Sequence, residues 1–322
     1  MPPDVCSVSP LGRTHPLRLP AAPPLALTYL KLLATMLLWG GTFIAGRLLA
    51  GEVPPLSAAF VRFAIATGLL LTLLRRVEGR FPRLDRRQLG AVVLLGLTGV
   101  AGYNVCFFSG LQSIPAGRAA LIIALNPVGI AVLSALYCGE GLPLRKALGV
   151  LLSVGGALFV ITDGNLANLV AAGIGRGELY LFGCVLCWSL YTIVGQRVMG
   201  GLSPLAAVSY SALAGVLLLL PLAAAEGVFG TLPTYSLRSW ASLVYLGLGG
   251  TVVAFIWYYH GIRELGAIRA GVFINFVPVC AVLLSFLLLG EPLTSALLQG
   301  AVLIGAGVWL TNATARPHKK PG

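Results

Sequence analysis

The sequence predicts an all-α integral membrane protein of ten transmembrane helices, arranged as two inverted five-helix repeats with both ends in the cytoplasm. Three observations predict this. The composition is too poor in charge to build a water-facing surface, apolar runs of bilayer length follow one another, and the second half of the chain repeats the first. Of the 322 residues, 57% are hydrophobic and 10% charged, with a mean hydropathy of +0.92. A soluble domain carries about 25% charged residues, so the apolar side chains must face lipid. The 41 glycines fit helices that pack closely in a bilayer.

A spanning helix needs about 20 mostly apolar residues, and ten runs meet that length, at about 28–49, 55–74, 89–110, 116–138, 143–162, 178–198, 204–225, 239–261, 267–289 and 293–313. The first carries Trp39-Gly40-Gly41-Thr42-Phe43, and the second holds Phe60-Val61-Arg62-Phe63 and ends against Arg75 and Arg76. The third contains Tyr103 and Asn104. The fourth contains Asn126 and, at its middle, Pro127, and the fifth follows Arg145 and Lys146. The sixth carries Trp188 and Tyr191, the seventh opens near Pro204, and the eighth ends at Tyr258-Tyr259-His260. The ninth holds Asn275 and Pro278, and the tenth runs up to the terminal Arg316, Lys319 and Lys320. Residues 1–27 read as a disordered tail, 163–177 as the connection between repeats 28–162 and 178–313, and 314–322 as a short cytoplasmic tail. The proline-rich start has no continuous apolar core of a signal peptide.

Lysine and arginine set the orientation. With the first residue inside, 17 of the 22 fall on the cytoplasmic side and 4 on the other, and Arg62 lies within a helix. The excess favours both ends inside and an even number of spans. It also accounts for the net charge of +12 without nucleic acid, because the positive charge sits in tails and loops between apolar runs.

The repeat is direct. Residues 107–142 match 258–293 without a gap at 13 of 36 positions, among them Gly110/Gly261, Arg118/Arg269, Pro127/Pro278 and Glu140/Glu291. Leu95-Gly96-Leu97-Thr98-Gly99 matches Leu246-Gly247-Leu248-Gly249-Gly250 at the same offset, and Trp39 and Pro55 match Trp188 and Pro204 at an offset of 149. Five spans per half place the second half in the membrane in the opposite sense, a recurring construction in transporters.

On these residues the chain resembles the drug/metabolite transporter superfamily, specifically its EamA-like members, over about residues 28–313. The resemblance rests on Trp39 to Phe43, on Pro55 with Phe60 to Phe63, and on the run from Ala116 through Pro127 to Glu140 with its copy from Ala267 through Pro278 to Glu291. It implies a central cavity between two repeats and export of small metabolites, commonly amino acids and related compounds, across a bacterial inner membrane. The second half departs from the first where Phe60, Arg62 and Phe63 become Ser209, Ser211 and Ala212, so a chemically asymmetric pathway is expected.

The candidate substrate-binding residues are the aromatic and polar groups at membrane depth: Trp39, Thr42, Tyr103, Asn104, Asn126, Trp188, Tyr191, Tyr259 and Asn275. Aromatic faces with a few hydrogen-bonding groups suit a neutral or zwitterionic organic solute, while tryptophans also serve as packing or interfacial anchors and amides also join helices. Pro127 and Pro278 each remove a backbone N–H, freeing the Ile123 and Ile274 carbonyls and bending the helix, for packing or for gating. Arg62 and His260 are the candidate charge or proton switches. Arg118, Arg269, Glu140 and Glu291 read as topology or packing elements.

The three aspartates, Asp4, Asp85 and Asp163, are not mid-membrane, so a buried carboxylate relay lacks its parts. The same absence argues against an intramembrane aspartyl protease, and no phosphate-binding loop supports ATP-driven pumping. The six cysteines, including Cys184 and Cys187, read as small apolar side chains, with no metal and no cofactor implied. The expected partners are a small-molecule substrate and the lipid bilayer. Monomer and homodimer stay open, and so do three other readings: a multidrug carrier, a lipid-translocating carrier and a non-transporting sensor.

Overall fold

A computed structural model describes residues 25–138, 143–165, 174–198 and 202–312. Leu25 to Leu27, expected in the first tail, are already helical, while residues 1–24 of that tail, the expected last tail at 314–322, most of the connecting loop, and Glu140 lie outside the described residues. Among these, nine helices are long and apolar enough to cross a membrane: α1 (Leu25–Leu49), α2 (Pro55–Glu78), α3 (Arg86–Leu111), α4 (Ala116–Leu136), α5 (Leu144–Ile161), α6 (Arg176–Gly195), α7 (Pro204–Ala225), α8 (Leu237–Leu265) and α9 (Arg269–Leu289). The tenth expected span is present as a shorter apolar helix, α10 (Ser295–Thr311). The protein is a multi-pass helical membrane protein.

Local chemistry sets the helix ends. Pro55 and Pro204 occupy the first turns of α2 and α7, where the missing N–H costs nothing. Asp85 and Gln88 form a reciprocal cap at the start of α3, with bonds of 2.7 and 3.0 Å. Gly79 ends α2 at φ +69°, a left-handed conformation that a β-carbon would disfavour.

The side chains are distributed as lipid requires. Leu30, Leu37, Leu151, Leu217, Leu287 and Val302 stand exposed on the outside, whereas Thr35, Ser57, Asn104, Ser189, Ser209 and Thr251 are buried. A polar group in hydrocarbon must find its partner within the protein.

The order of packing crosses the chain. α1 packs on α8 and α9, and α6 packs on α3 and α4. α2 lies against α7, α5 against α10 and α4 against α9. Glycines allow the closest approaches. A β-carbon at Gly247 of α8 would stand 2.9 Å from the Arg62 carbonyl of α2, and one at Gly96 of α3 would stand 2.8 Å from the Ser211 carbonyl of α7. Likewise Gly250 takes the methyl of Thr42, and Gly99 takes the ring of Tyr191. Gly149 and Gly156 of α5 meet Gly307 and Gly300 of α10 along a seam of backbone contacts, the small-residue packing that bilayer helices favour.

α3 and α8 are not α-helical throughout. Gly96–Gly102 and Tyr245–Val253 are π-helical, as is Ser285–Leu289 at the end of α9. Hydropathy alone did not indicate these wider turns. α4 breaks between Ile123 and Asn126, and α9 breaks between Phe273 and Phe276, just ahead of Pro127 and Pro278. The Ile274 carbonyl that Pro278 leaves free accepts instead from the Val277 N–H at 3.0 Å.

Candidate functional site

The π segment of α8, Tyr245–Val253, packs on α2, and Asn104 reaches α2 from just past the π segment of α3; at that point stands Arg62. Its side chain is 9% exposed, about two turns from the start of α2. Its Nη1 donates to Asn104 Oδ1 of α3 at 2.8 Å, and its Nη2 lies 3.4 Å from Thr251 Oγ1 of α8. The guanidinium carbon sits 5.2 Å from the centre of the Phe63 ring, within the range of a cation–π contact. Nε is buried with no hydrogen-bond partner.

Asn104 and Thr251 are oriented by the backbone irregularity itself. A π segment leaves carbonyls out of the regular ladder. The Asn104 amide donates to Val100 O at 2.8 Å, and the Thr251 hydroxyl donates to Leu246 O at 2.9 Å. With those donors used, Oδ1 and Oγ1 are left to accept from Arg62. A third π-segment carbonyl, Gly250 O, accepts from Trp39 Nε1 at 3.1 Å.

Aromatic side chains flank this polar centre on both sides. Trp39 lies with its ring 5.7 Å from Phe255 and 5.1 Å from Tyr258, and Phe255 continues to Tyr259 at 6.2 Å. On the α6 side, Trp188 lies 5.5 Å from Tyr191 and 5.8 Å from Tyr103, which neighbours Asn104 in the chain. Thr42 is buried and bonds back to Trp39 O at 2.6 Å. Tyr245 donates to Leu38 O at 2.8 Å. Trp39, Thr42, Tyr103, Asn104, Trp188, Tyr191, Tyr259 and Arg62 therefore form one neighbourhood.

The remaining candidates lie elsewhere. Asn275 is exposed at the break in α9. Asn126 sits at the break in α4, with Oδ1 buried and unpartnered. Pro127 and Pro278 are half-buried beside those breaks. His260 faces Arg263, Nδ1 to Nη2 at 3.2 Å, near the end of α8. Cys184 is buried with its thiol 3.4 Å from Tyr103 O, packed as a small side chain between α3 and α6.

Thr251, Tyr245, Phe255 and Tyr258 belong to the site and were not singled out from the sequence. A glycine-rich run ahead of each of the third and eighth spans' polar residues was the available signal. Ionised side chains near helix ends work as clasps. Arg118 pairs with the 6%-exposed Glu178 at 3.1 Å. Glu291 accepts from the Ala116 and Gly117 N–H groups at the start of α4, and Glu226 accepts from Ser57 N–H and Oγ at the start of α2. Each carboxylate answers the positive end of a helix from the opposite half of the chain.

An open groove of about 940 Å³ lies between α1, α8 and the end of α9, lined by Leu37, Leu48, Leu248, Trp257 and Leu288, with Arg238, Ser242 and Tyr245 among its polar members. It is separate from the Arg62 neighbourhood except at Tyr245.

The chain is similar to known proteins along most of its length. The EamA-like transporter family matches residues 26–162 and again residues 175–313. A Bacillus subtilis (strain 168) protein described as the uncharacterized transporter YyaM is 29% identical over 90% of this chain and 95% of its own. A Streptantibioticus cattleyicolor protein described as a probable terminal-alkyne amino-acid exporter is 30% identical over 87% of this chain and 92% of its own. A solved crystal structure covers 92% of the chain and 99% of its own with a TM-score of 0.59 at 23% identity, a likeness of fold. The chain thus belongs to the EamA-like transporter family and is a multi-pass membrane transporter.

Proposed function

We propose that the protein exports small neutral or zwitterionic metabolites, amino acids and their relatives first among them, by alternating access between two inverted five-helix repeats at 28–162 and 178–313. The observation that carries this reading is the exchange of partners across the chain: α1 packs on α8 and α9, and α6 on α3 and α4. Each half thus builds its side of the site with the other half's helices, and a rocking motion of one against the other opens the same residues to either face. Matched glycine contacts, Gly247 to Arg62 and Gly96 to Ser211, support a two-fold relation between the halves. The lysine and arginine excess supports both ends in the cytoplasm of a bacterial inner membrane.

Purified protein in liposomes, loaded with a labelled metabolite panel, tests the reading. Selective, saturable efflux is the expected result, and its change on imposing a pH gradient reports whether protons are exchanged. Folded, inserted protein giving no flux above empty liposomes would overturn it. A second reading, a lipid-translocating carrier, draws on the open groove between α1 and α8. That groove suits an acyl chain, but its walls offer a headgroup almost no polar path, so the metabolite reading stands first.

A further inference from the structure

We propose that the Nε–Nη2 edge of the Arg62 guanidinium is the docking group for a substrate carboxylate, and that a singly charged carboxylate is the feature this transporter selects. The inference rests on the transporter reading of the same site and names the chemistry of its substrate.

Arg62 is nine-tenths buried at membrane depth, where an ionised side chain is expensive unless something answers its charge. Nothing in the chain does so among the described residues. The ion pairs there join Arg118 to Glu178 and Arg263 to Glu264. The partners of Arg62 are neutral: the Asn104 amide oxygen, the Thr251 hydroxyl and the Phe63 ring.

The way those partners are placed leaves one edge of the fork only loosely engaged. Asn104 takes Nη1. Thr251 stands at the far limit of a bond from Nη2, and Nε has no partner. Nε and Nη2 form the side-on edge of a guanidinium, whose two parallel N–H groups fit the two oxygens of a carboxylate. In this conformation the edge is closed off, so a ligand reaches it when the halves separate.

Charge selects among anions. One cation without a second beside it is neutralised by a monoanion, whereas a phosphate dianion would leave net negative charge in the membrane interior. The surrounding walls, Tyr103, Trp188 and Tyr191 on one side and Trp39 and Phe255 on the other, are aromatic. They suit an apolar body behind the carboxylate.

The test is efflux from proteoliposomes of phenylalanine, leucine and threonine, each beside its own carboxamide, with uridine as a solute that has no carboxylate. At least one acid is expected to move saturably, with its carboxamide and uridine moving at less than about a tenth of its rate. Arg62→Gln should lower kcat/KM for that acid roughly 10- to 100-fold, the range for losing a hydrogen-bonded charged contact. Arg62→Lys should keep the preference for acid over amide at a raised KM, since the charge remains and the fork is lost. Elution profile and unfolding temperature report whether each variant is folded. If Arg62→Gln fails to fold, the wild-type preference for acid over amide decides the question. Carboxamides or uridine moving as well as the acids, or folded Arg62→Gln keeping its acid flux, would overturn the inference and leave the carrier standing. No flux of any solute would remove both.

Discussion

Arg62 of α2 and Ser211 of α7 occupy matched places. Each presents its backbone carbonyl to a glycine of a π segment, Gly247 for Arg62 and Gly96 for Ser211. The backbones of the two halves are alike here, yet the chemistry is not. Arg62 meets Asn104 and Thr251, whose counterparts in the repeat are Phe255 and Val100. Ser211 turns its hydroxyl back to Val208 O at 3.0 Å, beside the buried apolar group of Val100, Ala212 and Val252. The matched glycine contacts carry unlike side chains, giving one charged corner at Arg62 and one largely apolar corner at Ser211. On the proposed reading, a solute held between them would be held in one orientation.

This comparison can be broken most severely at the glycines. Gly96→Leu and Gly247→Leu should each destabilise the protein by about 3 kcal/mol or more, since a side chain would have to displace backbone rather than a flexible neighbour. Equal losses of unfolding temperature in detergent would bear out the shared backbone design. A loss in one half alone would contradict it.

Ser211→Arg tests the difference instead. It would place a second guanidinium where Phe255 and Val100 stand in place of an Asn104–Thr251 pair, at a cost of about 3 kcal/mol at membrane depth. Lower folded yield is the expected reading, and an unchanged yield would show that the apolar corner tolerates charge. Asn104→Leu should cost about 1–3 kcal/mol, because it leaves a buried guanidinium N–H unpaired. The matched change, Phe255→Leu, should cost about 1 kcal/mol from its ring contact with Trp39. Thermal unfolding of the two variants side by side orders them.

The smallest effect lies outside the membrane. Glu52 accepts from the Ser236 N–H and hydroxyl, and these bonds hold its carboxyl below the usual carboxylate range. Its contribution is therefore complete above the ordinary value and disappears as pH falls through the lowered one. Glu52 is fully exposed, so the expected sign is a slight acid-side drop in unfolding temperature that Glu52→Gln lacks.

The membrane helices, the two breaks ahead of the prolines and the choice of Arg62, Asn104, Trp39 and Trp188, which the fold brings together, were legible in the sequence, because hydropathy, missing N–H groups and intramembrane polarity are local properties. The π segments were not. Leu95 to Gly99 and Leu246 to Gly250 stood out as a repeated motif, but periodicity cannot tell a wider turn from an ordinary one over seven to nine residues. Thr251 escaped notice because a threonine is unremarkable until Leu246 O and Arg62 stand on either side of it. The pairing of Arg118 with Glu178, and the capping of α4 by Glu291 from the other half, depend on contacts between distant parts of the chain. Asn275, singled out for its polarity, is exposed at the break in α9, a place that polarity alone does not specify.

Each π segment can also be seen as a crystallographer of metals would see a dislocation, an extra unit stored in an otherwise regular lattice. Such a defect shifts by exchanging one bond at a time, so α3 or α8 can turn one end against the other without melting as a whole. The hydroxyl of Thr251 and the amide of Asn104 pin the two defects, and both pins also hold Arg62. Whatever loosens the guanidinium then frees the lattice on either side of it. Backbone hydrogen exchange at Gly96–Gly102 and Tyr245–Val253 should accordingly quicken in Arg62→Gln more than in the flanking α-helical turns; uniform exchange along α3 and α8 would show that the pins do not act this way.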